Sequence, residues 1–270
     1  MATVTGGARA ADGTFIGFTA SGEGSPVVLV HGAAADARQW AAVVPLLAGD
    51  HTVVAMDRRG RGTSGPIRPG HSLGTEYGDI AAVAVAVGAG GPVHLVGHSS
   101  GARFALHAAL LVPRLASLAL YEPPPPEHFG AGVLASLADM QAAGDREGIL
   151  RTFLLEVAGN DATALAFIRG RPIWPIMLDN ALTLPAELQA ASRYRFDPSA
   201  VADLAAPTVC LVGGDSGPEV AAVASGIVDA LPEARVTVLP GQGHGAMFSA
   251  PELLATELRR LFSRAAAAGP

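Results

Sequence analysis

The stretch that most constrains this chain is Val93-His94-Leu95-Val96-Gly97-His98-Ser99-Ser100-Gly101, followed directly by Ala102-Arg103-Phe104-Ala105-Leu106. A short apolar β run ends in Gly-x-Ser-x-Gly, and a helix-forming run starts with no linker. A turn that tight strains the backbone at Ser99. It also demands glycine at 97 and 101, where a side chain would collide with strand or helix backbone. The strain lifts the Ser99 hydroxyl off the sheet edge and sets it at a helix N-terminus, where unpaired backbone N–H groups can receive a developing oxyanion.

Around this turn the chain alternates strand and helix. Strands are predicted over 13–20 (an opening edge strand), 26–30, 52–56, 115–121, 207–212 and 235–239, with a strand and its elbow over 93–101. Helices are predicted over 38–47, 76–88, 219–230 and 251–263. The wholly apolar runs, such as Pro26-Val27-Val28-Leu29-Val30, suit strands covered on both faces. Together they imply an α/β fold with a mainly parallel sheet flanked by helices. Ligands bind beyond the carboxyl ends of such strands, which is where His31, Asp57, Ser99 and Glu122 fall. Four prolines, 123–126, stop the strand ending at Tyr121. Residues 127–200 then offer helices near 130–143, 145–158 and 161–169 and no buried strand. Residues 1–122 and 201–270 are therefore expected to form the core domain, and 123–200 a helical cap inserted in it.

Composition narrows the function. Half of the 270 residues are hydrophobic, 16% are charged, and the net charge is −6. That balance affords a large core and disfavours nucleic acid or an anionic membrane as partner. The single cysteine, Cys210, sits in an apolar run and reads as core. No signal peptide or membrane-length apolar run is read, so a cytoplasmic location is expected. No Gly-x-Gly-x-x-Gly follows a strand, and no cluster of His, Cys and carboxylates has metal spacing, so neither cofactor nor metal is expected. The partner is a small molecule; a homodimer stays open.

A serine needs a base to become a nucleophile. Of eight histidines, His51 and His71 read as surface residues, His94 and His107 as structural, and His128 falls in the cap. His98 occupies the position before the serine, with its side chain aimed away from the hydroxyl. His31 suits a structural hydrogen-bonding role. His244 alone sits in a glycine-rich loop between the last strand and the last helix, as a general base would.

At this point the chain resembles the α/β-hydrolase family. The resemblance covers residues 13–122 and 205–263. It rests on His31-Gly32, Asp57-x-x-Gly60-x-Gly62-x-Ser64, Gly97-His98-Ser99-Ser100-Gly101 and Gly241-x-Gly243-His244. It implies acyl transfer, with Ser99 as nucleophile, His244 as base, and an oxyanion hole from the Ser100 N–H and that of Gly32 or Ala33. It also implies that the arginine-rich loop, Arg58 to Ser64, supports the active-site edge.

The orienting acid departs from the family's common pattern. Its usual place, the fourth position of Gly-x-x-Asp after the strand at 207–212, holds Ser216, and Asp215 comes one residue early. The other place is the end of the strand after the nucleophile helix, where Glu122 stands 23 residues past Ser99. Glu122 is preferred, with Asp215 as the alternative. In this the chain is similar to zearalenone-type lactonases, which have Ser-Ser-Gly at the nucleophile, take glutamate from a Glu-x-Pro and carry Pro-x-Trp in the cap. This chain has Glu122-Pro123-Pro124 and Pro172-Ile173-Trp174, but differs from them at His31-Gly32.

Pocket candidates are Phe129, Trp174, Met177, Met247 and Phe248. Pro172 and Pro175 are expected to prevent a continuous helix and aim the Trp174 ring at the site. An apolar pocket suits an uncharged ester or lactone. The expected activity is thus that of a serine esterase or lactonase. A cofactor-free perhydrolase (haloperoxidase-like) would use the same residues, and a non-catalytic binding protein on the same scaffold is the third reading. Serine at the elbow turns the reading away from epoxide hydrolases and haloalkane dehalogenases, whose resemblance includes aspartate there.

Overall fold

Eight strands form one sheet, in the order β1-β2-β4-β3-β5-β6-β7-β8, in a computed structural model that describes residues 3–126 and 129–268. His128 lies outside the described residues. The strands are β1 (Thr3–Arg9), β2 (Phe15–Ser21), β3 (Ser25–Val30), β4 (His51–Met56), β5 (Val93–His98), β6 (Leu115–Tyr121), β7 (Thr208–Gly213) and β8 (Ala234–Leu239). Only β2 runs against its neighbours, pairing antiparallel with β1 and β4; β4, β3, β5, β6, β7 and β8 are parallel. The predicted opening strand is therefore not the edge. β1 precedes it, and its mostly exposed, glycine-containing run, Thr3 to Arg9, carries little apolar signal.

The core lies on both faces of the sheet. On one face, Val28, Leu95, Leu118 and Cys210 meet α2 (Leu73–Gly88), α3 (Ser100–Ala108) and α9 (Pro218–Ala230). On the other, Val27, Leu29, Val96 and Leu211 meet Trp40, Leu47, Leu254, Leu258 and Leu261. These come from a 3₁₀ turn (Ala37–Trp40), α1 (Val44–Leu47) and α11 (Pro251–Ala268). The predicted helix over 38–47 is thus two short pieces.

Between β6 and β7 the chain is helical. It comprises α4 (Ala131–Ala143), α5 (Arg146–Thr152) continuing into a π turn (Phe153–Val157), α6 (Ala162–Arg169), α7 (Ile173–Asn180) and α8 (Leu184–Ala191). Leu137, Ile149, Leu150, Leu165, Met177 and Leu184 make a third apolar cluster, which reaches Ala34 at the sheet edge. One expectation fails here. Helix α7 runs straight through Pro175, because proline in a first turn forfeits no intrahelical hydrogen bond. No helix among the described residues is long and apolar enough to cross a membrane.

The glycines of the elbow are sterically obligatory. A Cβ on Gly97 would stand 2.6 Å from Ala102 Cα, and one on Gly101 would stand 2.7 Å from the Val30 carbonyl oxygen. Both neighbours are backbone and cannot rotate away. Gly101→Ala is expected to destabilise the fold by about 1–3 kcal/mol, read as a lower midpoint in urea. A wild-type midpoint would show that the β3–α3 contact is soft.

Candidate active site

Ser99 joins β5 to α3 at φ 55° and ψ −126°, a conformation that L residues rarely hold. Its N–H donates to the Tyr121 carbonyl at 2.9 Å, which ties the turn to β6. Ser100 follows as the first residue of α3, where a backbone N–H has no partner within the helix.

The loop after β3 faces this turn. The Gly32 carbonyl accepts from His31 Nδ1 at 2.8 Å and from the buried Arg58 guanidinium at 3.2 Å. In a trans peptide the next N–H points opposite to that carbonyl, so the Ala33 N–H is aimed away from the guanidinium. The Gly32 N–H is committed elsewhere, donating to Gln39 Oε1 at 3.3 Å. Of the two sequence candidates for the second oxyanion donor, Gly32 is therefore already engaged within its own loop.

Glu122 directly follows β6, also at positive φ (53°), and is 1% exposed. Its Oε1 accepts from the Gly213 N–H at 2.6 Å and the Ser216 hydroxyl at 2.9 Å, and its Oε2 lies 3.3 Å from His244 Nδ1. Burial pushes this carboxyl up, but the hydrogen bonds from His244, Gly213 and Ser216 outweigh it, leaving the group below its ordinary value of 4.5. Asp215 is exposed. Its N–H donates to the Gln242 carbonyl at 2.9 Å, and among the described residues no hydrogen bond or ion pair joins its side chain to His244. Ser216, at the position where the sequence reading looks for the family's usual acid, donates instead to Glu122.

His244 is exposed at the end of the loop after β8, which three contacts hold. Tyr121 Oη donates to the Gly243 carbonyl and accepts from the Ala246 N–H at 3.0 Å, and His98 Nε2 donates to the His244 carbonyl at 2.9 Å. The two imidazole rings lie 4.5 Å apart. The sequence reading gave Tyr121 and His98 no part in this, since nothing local marks a contact across more than 120 residues.

The arginine-rich loop underpins the same edge. Arg58 is fully buried, paired with Glu76 at 2.9 Å and Glu187 at 3.2 Å, and donates to Ser100 Oγ at 3.3 Å. Arg61 pairs with Glu187, and Arg59 with Asp79 at 2.7 Å. His71, expected at the surface, has its side chain tucked against Glu76 at 3.3 Å.

The pocket candidates divide. Trp174 and Phe129 are half-buried against the inserted helices' core, and Met177 is buried within it. Met247 cannot line a cleft. Its side chain is fully buried in the core under the sheet, because α10 (Ala246–Ser249) turns it inward, while Phe248 is 37% exposed. A separate apolar cavity of about 300 Å³ lies between α3, the proline run and α9; neither Ser99, Glu122 nor His244 lines it.

Comparison with known proteins agrees with this architecture: the model of the alpha/beta hydrolase family matches residues 27–257. The chain belongs to the alpha/beta hydrolase family. An alpha/beta hydrolase of Sphaerobacter thermophilus superposes with a TM-score of 0.83 at 32% identity, over 97% of this chain and all of that one. The N-formylmaleamate deformylase of Pseudomonas putida is 40% identical over 106 residues, 38% of this chain and 39% of the relative. The non-heme haloperoxidase of Rhodococcus erythropolis is 37% identical over 93 residues, 34% of each chain. These matches to curated relatives thus span little more than a third of those proteins.

The depressed Glu122 carboxyl has a signed consequence. Its contribution to the stability of this hydrolase is present above the ordinary value of 4.5 and is lost as pH falls through the lower folded value. Urea unfolding of wild type and Glu122→Gln should therefore show a stability difference that narrows on acidification from about pH 7 to pH 3. A difference that widens would show that the folded state prefers the neutral acid.

Proposed function

We propose that this alpha/beta hydrolase is a serine hydrolase that cleaves a carboxylic ester or lactone of an apolar small molecule through an acyl-enzyme. His244 takes the Ser99 proton as Oγ attacks the carbonyl carbon, and the Ser100 and Ala33 N–H groups receive the oxyanion. Glu122 holds the Nδ1–H of His244, which turns Nε2 toward the serine and stabilises the imidazolium. The imidazolium protonates the leaving alkoxide. Water, deprotonated by the same ring, then attacks the acyl-enzyme and releases the acid and Ser99. The helices between β6 and β7 serve as a cap, and the half-buried Trp174 and Phe129 favour an uncharged substrate.

The observation that carries this reading is the buried Glu122 carboxylate, fixed by Gly213 and Ser216 and within 3.3 Å of His244 Nδ1. Asp215, exposed and not in contact with that ring, is set aside as the acid. A second reading is favoured by the similarity to the Rhodococcus haloperoxidase. In it, hydrogen peroxide takes the acyl group from Ser99 in place of water and leaves as the peracid.

A fluorophosphonate is expected to label wild type at Ser99 and leave Ser99→Ala unlabelled, as mass spectrometry of the peptide would show. On p-nitrophenyl esters and lactones, Glu122→Gln should lose about four orders of magnitude in kcat. Asp215→Asn should stay within about twofold of wild type, as an exposed substitution does. The reverse ranking would transfer the role to Asp215, and a folded protein unlabelled at Ser99 would end the acyl-enzyme reading. Peracid formation from acetate and peroxide, faster than ester hydrolysis, would select the second reading.

A further inference from the structure

Behind Ser99 runs a buried chain of hydrogen bonds that the acyl-transfer chemistry does not use directly. The Gly32 N–H donates to Gln39 Oε1 at 3.3 Å, Gln39 Nε2 lies 3.1 Å from His98 Nδ1, and His98 Nε2 lies 2.9 Å from the His244 carbonyl oxygen. Gln39 is 3% and His98 6% exposed, so water cannot substitute for a lost partner.

The atoms permit one proton arrangement. The His244 carbonyl can only accept, so His98 Nε2 carries the hydrogen. A neutral ring then has a lone pair on Nδ1, which takes a hydrogen from the Gln39 amide. That orientation leaves Gln39 Oε1 facing the Gly32 N–H, and each of the three contacts pairs a donor with an acceptor. The other neutral tautomer leaves two acceptors facing each other at the His244 carbonyl. An imidazolium would force Gln39 to turn over and set its NH₂ against the Gly32 N–H. The titratable groups facing His98 are His31, Tyr121 and His244. None is a carboxylate that could hold the ring charged. Burial, then the neighbouring His244 and His31, holds the His98 imidazolium well out of favour. The Trp40 ring packs edge-on to the imidazole, with centroids 6.4 Å apart.

We infer that Gln39 and His98 are positioning residues: they join the oxyanion loop to the loop of the general base, so that the Ala33 donor and the His244 ring are set by one hydrogen-bonded relay. Neither side chain touches the reacting atoms. The inference rests on the serine-hydrolase reading. It adds that the residue before the nucleophile is selected for its second nitrogen, and that a phenylalanine of similar size cannot replace it.

The relay can be read without any substitution. In protein labelled with ¹⁵N-histidine, His98 is expected to remain neutral with Nε2 protonated between about pH 5.5 and 8, the range in which free imidazole titrates. Gln39→Glu keeps the shape and the acceptor for Gly32 but offers no donor to Nδ1, so His98 should become an imidazolium. The acid limb of kcat/KM against pH should then move to lower pH, because a charge at 98 opposes a second charge on the His244 ring 4.5 Å away. Gln39→Glu and His98→Phe should each lower kcat by about 10- to 100-fold, the usual range for groups that orient a reactive side chain, with KM within about twofold. A packing defect would lower the rate without moving the limb. A labelled, active wild type with Nδ1 protonated, or Gln39→Glu with wild-type kcat and an unmoved limb, overturns the relay alone. A wild type with the expected tautomer that neither takes the phosphonate nor turns over ester overturns the serine-hydrolase reading, and the positioning role with it.

Discussion

The steric contact between α3 and the end of β3 governs the rest of this structure. With no side chain at 97 or 101, helix backbone rests against the Val30 and His31 carbonyls, and Ser99 is left at φ 55° between them. Everything at the sheet edge is arranged around that close approach. The loops after β3, β4, β6, β7 and β8 all converge on the turn, and each carries a polar contact beside its apolar packing. Apolar packing would tolerate a sliding fit; hydrogen bonds and ion pairs fix direction as well as distance.

Charge does much of this fixing from underneath. Arg58 and Arg61 are as buried as any core leucine, and Glu76 and Glu187 accompany them, so the cluster is neutral overall. Isolated charges at that depth would be untenable, whereas here each guanidinium is paired with a carboxylate, and only Arg61 Nε among the nitrogens of these two arginines is buried without a hydrogen-bond partner. Glu187 belongs to α8, so the helical insert is clamped to the loop beneath Ser100 at its far end. Asn180, donating to Asp36 at 2.8 Å, adds a second polar tie close by. The helices α4 to α6 pack through the third apolar cluster, with polar ties from Gln141 to the Leu182 carbonyl and from Arg146 to the Leu178 carbonyl.

Much of this was legible in the sequence, for identifiable reasons. Buried parallel strands are continuous apolar runs, so β3 to β7 stand out, and glycine spacing marks the elbow because only glycine fits. β1 left no such mark, being an exposed edge. The helix through Pro175 was missed because the residue type argues for a break, while its position in the first turn removes the objection. Met247 looked like a cleft residue from its distance to His244, and the direction in which α10 turns reversed that. The preference for Glu122 over Asp215 rested on the missing aspartate at 216 and on Glu122-Pro123-Pro124; what the sequence did not show is that Ser216 donates to Glu122. The Gln39–His98 contact was illegible, because 59 residues separate two side chains with no periodic relation.

The position of Glu122 carries a consequence for how the protein can vary. Ser99 and Glu122 belong to one continuous strand–helix–strand unit, β5-α3-β6, and both precede the helical insert. Insertions, deletions or exchange of residues between 123 and 200 leave their separation untouched. Only His244 must be brought in from beyond the insert, and its loop is positioned by Tyr121 and His98 from the same unit. Under the proposed mechanism a 30-residue segment, residues 93–122, carries two of the three groups and receives one imidazole, and the insert can vary wherever it does not supply Asn180 and Glu187 to the loops beneath.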